Sequence, residues 1–203
     1  MAESWFSLSR DDQAEALEYA AARTGRPAHL LEKDIWVVWA LSAIYESTLA
    51  SKLTFKGGTS LSKAYRIIDR FSEDVDLTYD IRELAADLLQ HGNPIPASSS
   101  QEKKISSAVR HRLPNWIETT VRPVIEAAMA KAGLEATLTL AGKESDKLVL
   151  AYPAVNLALT RTRMSLGPTT TCSTNRRISC ACPRNAKWPD TLAVSRSRSE
   201  ISS

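Results

Sequence analysis

Two short stretches of the chain carry residue types that could bind a phosphorylated substrate. The first is Gly57-Gly58-Thr59-Ser60, which follows an apolar run and precedes Lys63. A strand that ends in a glycine turn and opens into a helix lets backbone amides approach a phosphate, and the helix N-terminus adds partial positive charge. A hydroxyl from Thr59 or Ser60 would add a donor. Taken alone, a plain tight turn is the more common meaning of such a pattern.

The second stretch contains Asp74 and Asp76, which alternate in a strand-like run. Alternation places both carboxylates on one face, where they repel each other unless a cation neutralises them. Mg²⁺ suits this role, because it binds a few carboxylates and shares its other positions with phosphates and water. An isolated Asp-x-Asp more often serves solubility. Together, however, the two stretches predict a phosphate cradle and metal carboxylates at one edge of a sheet, as a two-metal nucleotidyl transfer requires.

Residues 55–80, FKGGTSLSKAYRIIDRFSEDVDLTYD, resemble the signature of the AbiEii/AbiGii nucleotidyltransferase toxins, from the type IV toxin–antitoxin systems of bacterial abortive infection. The preceding Glu32-Lys33-Asp34 also suits that family. The resemblance implies a DNA-polymerase-β-like nucleotidyltransferase fold, and an NTP used with Mg²⁺, as two ions in a complete member. It also implies transfer to an RNA acceptor such as tRNA, and a cognate antitoxin from the same operon.

Carried onto this chain, the resemblance assigns two sets of residues. Metal binding and catalysis fall to Asp74 and Asp76. Nucleotide binding falls to the glycine turn and the helix after it, namely Gly57, Gly58, Thr59, Ser60 and Lys63.

The elements that must position these residues follow from periodicity and from Gly and Pro punctuation, and they predict an α+β protein with a helical N-terminal region. Trp36 and Trp39 fall within an apolar helix and are expected in the core. Helices are predicted over 11–23, 27–47, 59–70, 81–90, 102–112 and 115–132, the last two separated at Pro114, and strands over 52–56, 74–79, 136–140 and 147–155.

Residues 156–203 differ from the rest of the chain. They are rich in Ser, Thr and Arg, and they carry a net charge of +6, against −3 for residues 1–155. Members of the resembled family continue here with a strand bearing a functional Lys, a further Asp and a helical lobe, which this chain lacks. We therefore expect an incomplete fold divided into an N-terminal helix (1–26), a nucleotidyltransferase-like domain (27–155) and a tail (156–203). The tail is either a genuine disordered segment or an out-of-frame translation, and composition favours the second.

Other classes of protein are weighed against this interpretation. The chain start lacks a secretory signal, and the longest apolar stretch is about half of a bilayer span, so a cytoplasmic protein with no membrane partner is expected. Besides an active toxin, two alternatives stay open. One is a catalytically dead fragment that binds only NTP-Mg²⁺ or its antitoxin; the other is a Mg²⁺-dependent glycosyltransferase.

Overall fold

A computed structural model describes residues 4–57, 74–142, 147–155 and 160–166, giving only the backbone of Asp74, His91 and 160–166. The predicted helix 59–70 lies outside the described residues, and with it Gly58, Thr59, Ser60 and Lys63. The α+β class is confirmed, since helices and one five-stranded sheet make up the described part.

The two N-terminal helices begin and end within two residues of their predicted bounds. Helix α1 (Arg10–Thr24) begins after Ser9, whose hydroxyl accepts the N–H of Asp12, and ends at Gly25 with a φ of 69°. Helix α2 (Ala28–Tyr45) follows directly. The other helices among the described residues are α3 (Arg82–Ala85), α4 (Ser99–Trp116) and α5 (Arg122–Ala132), with 3₁₀ turns at Trp5–Ser7, Thr48–Ser51, Ala86–Leu88 and Gln90–Gly92.

The sheet is mixed. Its strands are β1 (Leu53–Lys56), β2 (Asp74–Tyr79), β3 (Thr137–Ala141), β4 (Lys147–Tyr152) and β5 (Thr160–Leu166), in the spatial order β1-β2-β5-β4-β3. β2 and β5 are parallel, and the other neighbours are antiparallel. β5, the last strand among the described residues, thus lies at the centre of the sheet.

One face of the sheet packs on the helices and forms the core. Val75, Leu77 and Tyr79 of β2 are buried there with Leu148, Leu150 and Tyr152 of β4. They meet the apolar faces of α2, α4 and α5. Because side chains alternate along a strand, Asp76 and Thr78 belong to the opposite face. The core therefore decides which face of the sheet carries the acidic residues.

The predicted tail boundary at 156 needs correction. Residues 160–166 form β5, which pairs with β2 on one side and with β4 on the other. Two partner strands supply main-chain hydrogen bonds to a segment whose composition gives little strand signal, and this tertiary pairing overrides local propensity. The expectation of a structureless tail is wrong for these seven residues, and residues 167–203 lie outside the described part.

The predicted helix break at Pro114 is also wrong. Helix α4 continues through it to Trp116, and a π-helical turn (Ile117–Val121) then leads into α5. An internal proline costs about 3 kcal/mol. Leu113, Trp116 and Ile117 are buried around it, and each such side chain contributes about 1.5–3 kcal/mol. Burial on both sides of the proline therefore outweighs the lost hydrogen bond. The predicted helix 81–90 is also different in the structure: a short helix, α3, and two 3₁₀ turns take its place.

A polar contact ties the N-terminal helices to the chain just before β5. Glu32 of α2 is buried, and its carboxylate accepts the N–H of Val155 at 2.9 Å. Arg10 of α1 donates to the carbonyl oxygen of Ala154 at 3.0 Å. One turn further along α2, the ring of Trp36 stacks on Tyr152 with centroids 4.4 Å apart. These contacts fix the path of the chain as it leaves β4.

Glu32 predicts a pH-dependent stability. Burial raises the pKa of this carboxyl above its ordinary value of 4.5, although the Val155 N–H and the charge of Arg10 oppose the rise. The folded chain then holds the proton more tightly than the unfolded chain, so the free energy of unfolding falls as pH rises above 4.5 through the folded pKa. Glu32→Gln keeps an acceptor for Val155 and removes this titration. Urea unfolding between pH 4.5 and 7 should show the wild type losing stability relative to Glu32→Gln, and parallel curves would contradict the assignment.

Candidate functional site

The candidate site lies where β1 ends beside β2. Lys56, the last residue of β1, pairs in register with Asp76, and Thr54 pairs with Thr78. Directly opposite residues of an antiparallel pair share a face, with Cβ atoms about 5 Å apart. Gly57 therefore leaves the strand at the level of the Asp76 carboxylate.

Gly57 and Asp76 are close enough that no other residue fits the turn as it stands. The φ of Gly57 is +79°, a left-handed conformation that favours glycine. A Cβ atom added at Gly57 would overlap Oδ2 of Asp76 and lie 3.1 Å from both its Cβ and its Cγ. The carboxylate thus occupies the space that any side chain at 57 would need. The sequence predicts that the acids lie against the glycine turn, and for Asp76 the geometry agrees.

We call the face of the sheet that carries Asp76, opposite to the core, the polar face. Its residues form rows that cross the sheet. Pairwise registers align one residue from every strand in a row that runs Lys56, Asp76, Ser165, Lys147 and Ala141. The neighbouring row contains Asp74, Arg163, Val149 and Thr139, and the next contains Arg161, Ala151 and Thr137. Residues that share a row lie on the same face of a sheet, with neighbouring strands about 4.8 Å apart. Lys56, Asp76 and Lys147 are all half-buried.

Three basic residues of this face have no place in the sequence prediction. Lys56 is adjacent to the glycine turn, but its pairing with Asp76 depends on the register of β1 and β2. The sequence of so short a strand does not determine that register. Lys147 and Arg163 lie 71 and 87 residues after Asp76 along the chain. Only the strand order brings them to the polar face. The alternate positions of Arg161, Arg163 and Ser165 were the one sequence signal that could have indicated a strand here.

Two groups of residues outside this face have structural roles. Trp36 is buried and Trp39 packs at the edge of the core, as predicted. On α4, Arg112 is bound to the Asp87 carboxylate at 2.9 Å and to the carbonyl oxygen of Leu84 at 2.8 Å. Lys103 and Lys104, on the same helix, are exposed. In the described part, no helix is long and apolar enough to cross a membrane.

A comparison with models of known protein families identifies the family of this chain. Residues 39–179 match the model of the nucleotidyl transferase AbiEii toxin of type IV toxin–antitoxin systems. The chain belongs to the AbiEii family. The match includes β5, in agreement with its place in the sheet. Comparison with curated proteins and with solved structures finds no match. Family membership favours nucleotidyl transfer over the glycosyl transfer considered above.

The close approach of Gly57 and Asp76 predicts an unusually costly substitution. Gly57→Ala should lower the free energy of unfolding by more than the roughly 1–2 kcal/mol that left-handed backbone costs other residues, because its methyl group overlaps the carboxylate. Gly25→Ala is the matched control, since Gly25 has a φ of +69° and no atom within 4 Å of the added Cβ. Urea denaturation of both variants measures the difference.

A double-mutant cycle assigns the excess cost to Asp76. In an Asp76→Ala background, most of the difference between Gly57→Ala and Gly25→Ala should disappear, since Oδ2 is gone. Equal costs for the two glycine variants in the wild-type background would show that the carboxylate does not lie against the turn.

Proposed function

We propose that this AbiEii-family chain binds an NTP at the Gly57–Asp76 edge of its sheet and transfers a nucleotide to an acceptor, with RNA such as tRNA as the acceptor class. The fold would be the DNA-polymerase-β-like nucleotidyltransferase fold over residues 27–155, which β5 extends. The mixed sheet with its acidic strand beside a glycine turn supports this proposal. A cognate antitoxin would be its protein partner, and the cytoplasm its location.

The observation that carries the proposal is the Asp76 carboxylate against Gly57. A phosphate chain cradled by the turn would lie next to a carboxylate, and this is unfavourable unless a cation lies between them. Asp74, two residues earlier on the same strand, supplies the second acid. Nucleotide and divalent cation would therefore bind together.

The two acids of β2 are suited to one Mg²⁺ ion by their chemistry. Asp74 and Asp76 would hold it, and phosphate oxygens and water would complete its shell. Its contribution when bound is to neutralise charge on the triphosphate and the leaving pyrophosphate. A third acidic residue for a second ion is not found here: among the described residues, no three His, Cys, Asp or Glu come together, and the positions on β5 beside the two acids hold Arg163 and Ser165. The two-ion site expected of a complete member is not part of the proposal.

The chain's own residues would bind and orient. Gly57 and, beyond it, Gly58, Thr59 and Ser60 would offer backbone amides and hydroxyls to the phosphates, with Lys63 as a further phosphate contact. Val75 and Leu77 anchor β2 in the core, so the acids are held on a rigid strand. A fixed array of donors and acids favours the charge distribution of the transfer step over that of the free nucleotide.

A second candidate function is binding of the nucleotide or the antitoxin without transfer. It is favoured by the register of β5, which pairs Arg163 with Asp74 and Ser165 with Asp76 and so adds no third acid beside them. The two candidates share the nucleotide site and differ in turnover, so binding and transfer have to be measured separately.

The acidic pair predicts the outcome of a binding experiment. Asp74→Ala or Asp76→Ala should abolish Mg²⁺-dependent NTP binding and leave the fold intact, because each removes one of two metal carboxylates. Calorimetric titration of each NTP with and without Mg²⁺ measures this. Asp11→Ala, which removes an exposed carboxylate from the first turn of α1, serves as the control. Unchanged binding in both site variants would refute the assigned site.

Transfer itself is tested with α-labelled NTPs and total tRNA in the presence of Mg²⁺. Label that moves into RNA with the wild type, and not with Asp76→Ala, supports the transferase. Mg²⁺-dependent NTP binding without any incorporation of label favours the second candidate.

A further inference from the structure

Helix α4 presents a basic face to solvent. Its buried side, which packs in the core, holds Ile105, Val109, Leu113 and Trp116. On the exposed side, spacings of three, four and seven residues align basic and hydroxyl side chains in one stripe. We call this stripe the outer face of α4, and its members are Lys103, Lys104, Ser107, Arg110 and His111.

The charge of this helix is opposite in sign to that of the body that contains it. Residues 99–116 hold four basic residues and one acid, for a net charge of +3, whereas residues 1–155 together carry −3. The one acid, Glu102, lies two residues before Lys104 and therefore on another side of the helix. Within the described ranges, neither Lys103 nor Lys104 forms an ion pair. The positive charge of the outer face is therefore available to an external anion.

The helix that carries this face is attached to the acidic strand. Trp116, the last residue of α4, lies against Tyr79, the last residue of β2, with ring centroids 6.1 Å apart. Asp76 lies three residues before Tyr79, about 10 Å along the strand. Arg112 binds the Asp87 carboxylate at 2.9 Å and so holds the middle of the helix. The outer face thus has a fixed position relative to the proposed nucleotide site.

The composition of the outer face favours the backbone of a nucleic acid over a protein partner. Lys, Arg and Ser are residue types that bind phosphate and sugar oxygens. Protein interfaces depend instead on a few large anchors such as Trp and Tyr, and the outer face has no Trp, Tyr, Phe or Leu. From Lys103 to His111 it extends about 12 Å along the helix. One strand of a duplex places a phosphate about every 3.4 Å, so the face can follow about three phosphates.

We infer that the outer face of α4 binds the phosphate backbone of the acceptor RNA, with Lys103 and Lys104 as its main contacts. The inference rests on the proposed function, which requires an acceptor, and it gives that acceptor a surface separate from the nucleotide site. Contacts to phosphates carry no sequence information. The outer face therefore holds the body of a folded RNA, and other residues select the end that reacts.

The experiment measures the binding of unfractionated tRNA to the full chain by fluorescence anisotropy, without nucleotide and over a range of salt concentrations. Lys103→Gln and Lys104→Gln should each weaken binding about three- to tenfold at about 0.1 M salt, and each should reduce the slope of log K against log salt by about 1. Lys131→Gln, the same charge change in the exposed last turn of α5, should alter binding less than twofold. The basic residues of 167–203 are present in every variant, so their contribution cancels.

Graded substitutions at one position separate the effect of charge from an effect on folding. Lys104→Arg keeps the charge and should retain the wild-type affinity. Lys104→Glu should bind tRNA more weakly than Lys104→Gln, because it replaces attraction by repulsion. Circular dichroism should show the same helix content in all variants, since the position is exposed. Mg²⁺-dependent NTP binding should stay at the wild-type level, because α4 contributes no residue to the nucleotide site.

Three results would overturn the inference: no measurable binding of tRNA by the wild type, equal effects of Lys104→Gln and Lys131→Gln, or equal affinities of Lys104→Gln and Lys104→Glu. Binding of polyglutamate that depends on Lys103 and Lys104, with no such dependence for tRNA, would assign the outer face to an acidic protein segment instead. The proposed function fails separately, if Mg²⁺-dependent NTP binding is indifferent to both Asp74 and Asp76.

Discussion

The antiparallel register of β1 and β2 is the constraint on which the site depends. It sets Lys56 against Asp76, and one residue later the chain must turn past the Asp76 carboxylate. Only a residue without a Cβ atom can do so at a φ of +79°. A slip of one residue would exchange the faces of β2, placing Asp76 in the core and Val75 on the polar side. The buried Val75 and Leu77 therefore maintain the register that brings the glycine turn and the acid together.

The chain belongs to the AbiEii family, and the place of β5 decides which residues lie beside the acidic strand β2. The strand enters the centre of the sheet between β2 and β4, so its residues stand beside the acidic pair whatever their type. Here they are Arg163, in register with Asp74, and Ser165, in register with Asp76. The strand order, and not the local sequence, therefore decides which residues of β5 are in register with β2.

Packing of the N-terminal helices holds the chain where it leaves β4. Glu32 and Arg10 hold the backbone of residues 153–155 as it leaves β4, and Trp36 covers Tyr152. Arg10 thereby attaches helix α1 to the end of β4. The cost of burying Glu32 is offset in part by the Val155 N–H and by the charge of Arg10, which oppose the rise of its pKa.

The sequence by itself determined the local features: the caps of α1, the buried character of α2, the extent of β2 at Asp74–Tyr79, and the alternation that separates Asp76 from Val75. Each depends on residues a few positions apart. The passage of α4 through Pro114, the entry of β5 into the sheet and the grouping of Lys56, Lys147 and Arg163 were decided by the tertiary structure. Burial and strand pairing between distant segments outweigh local propensity there, and no short window of sequence contains those partners.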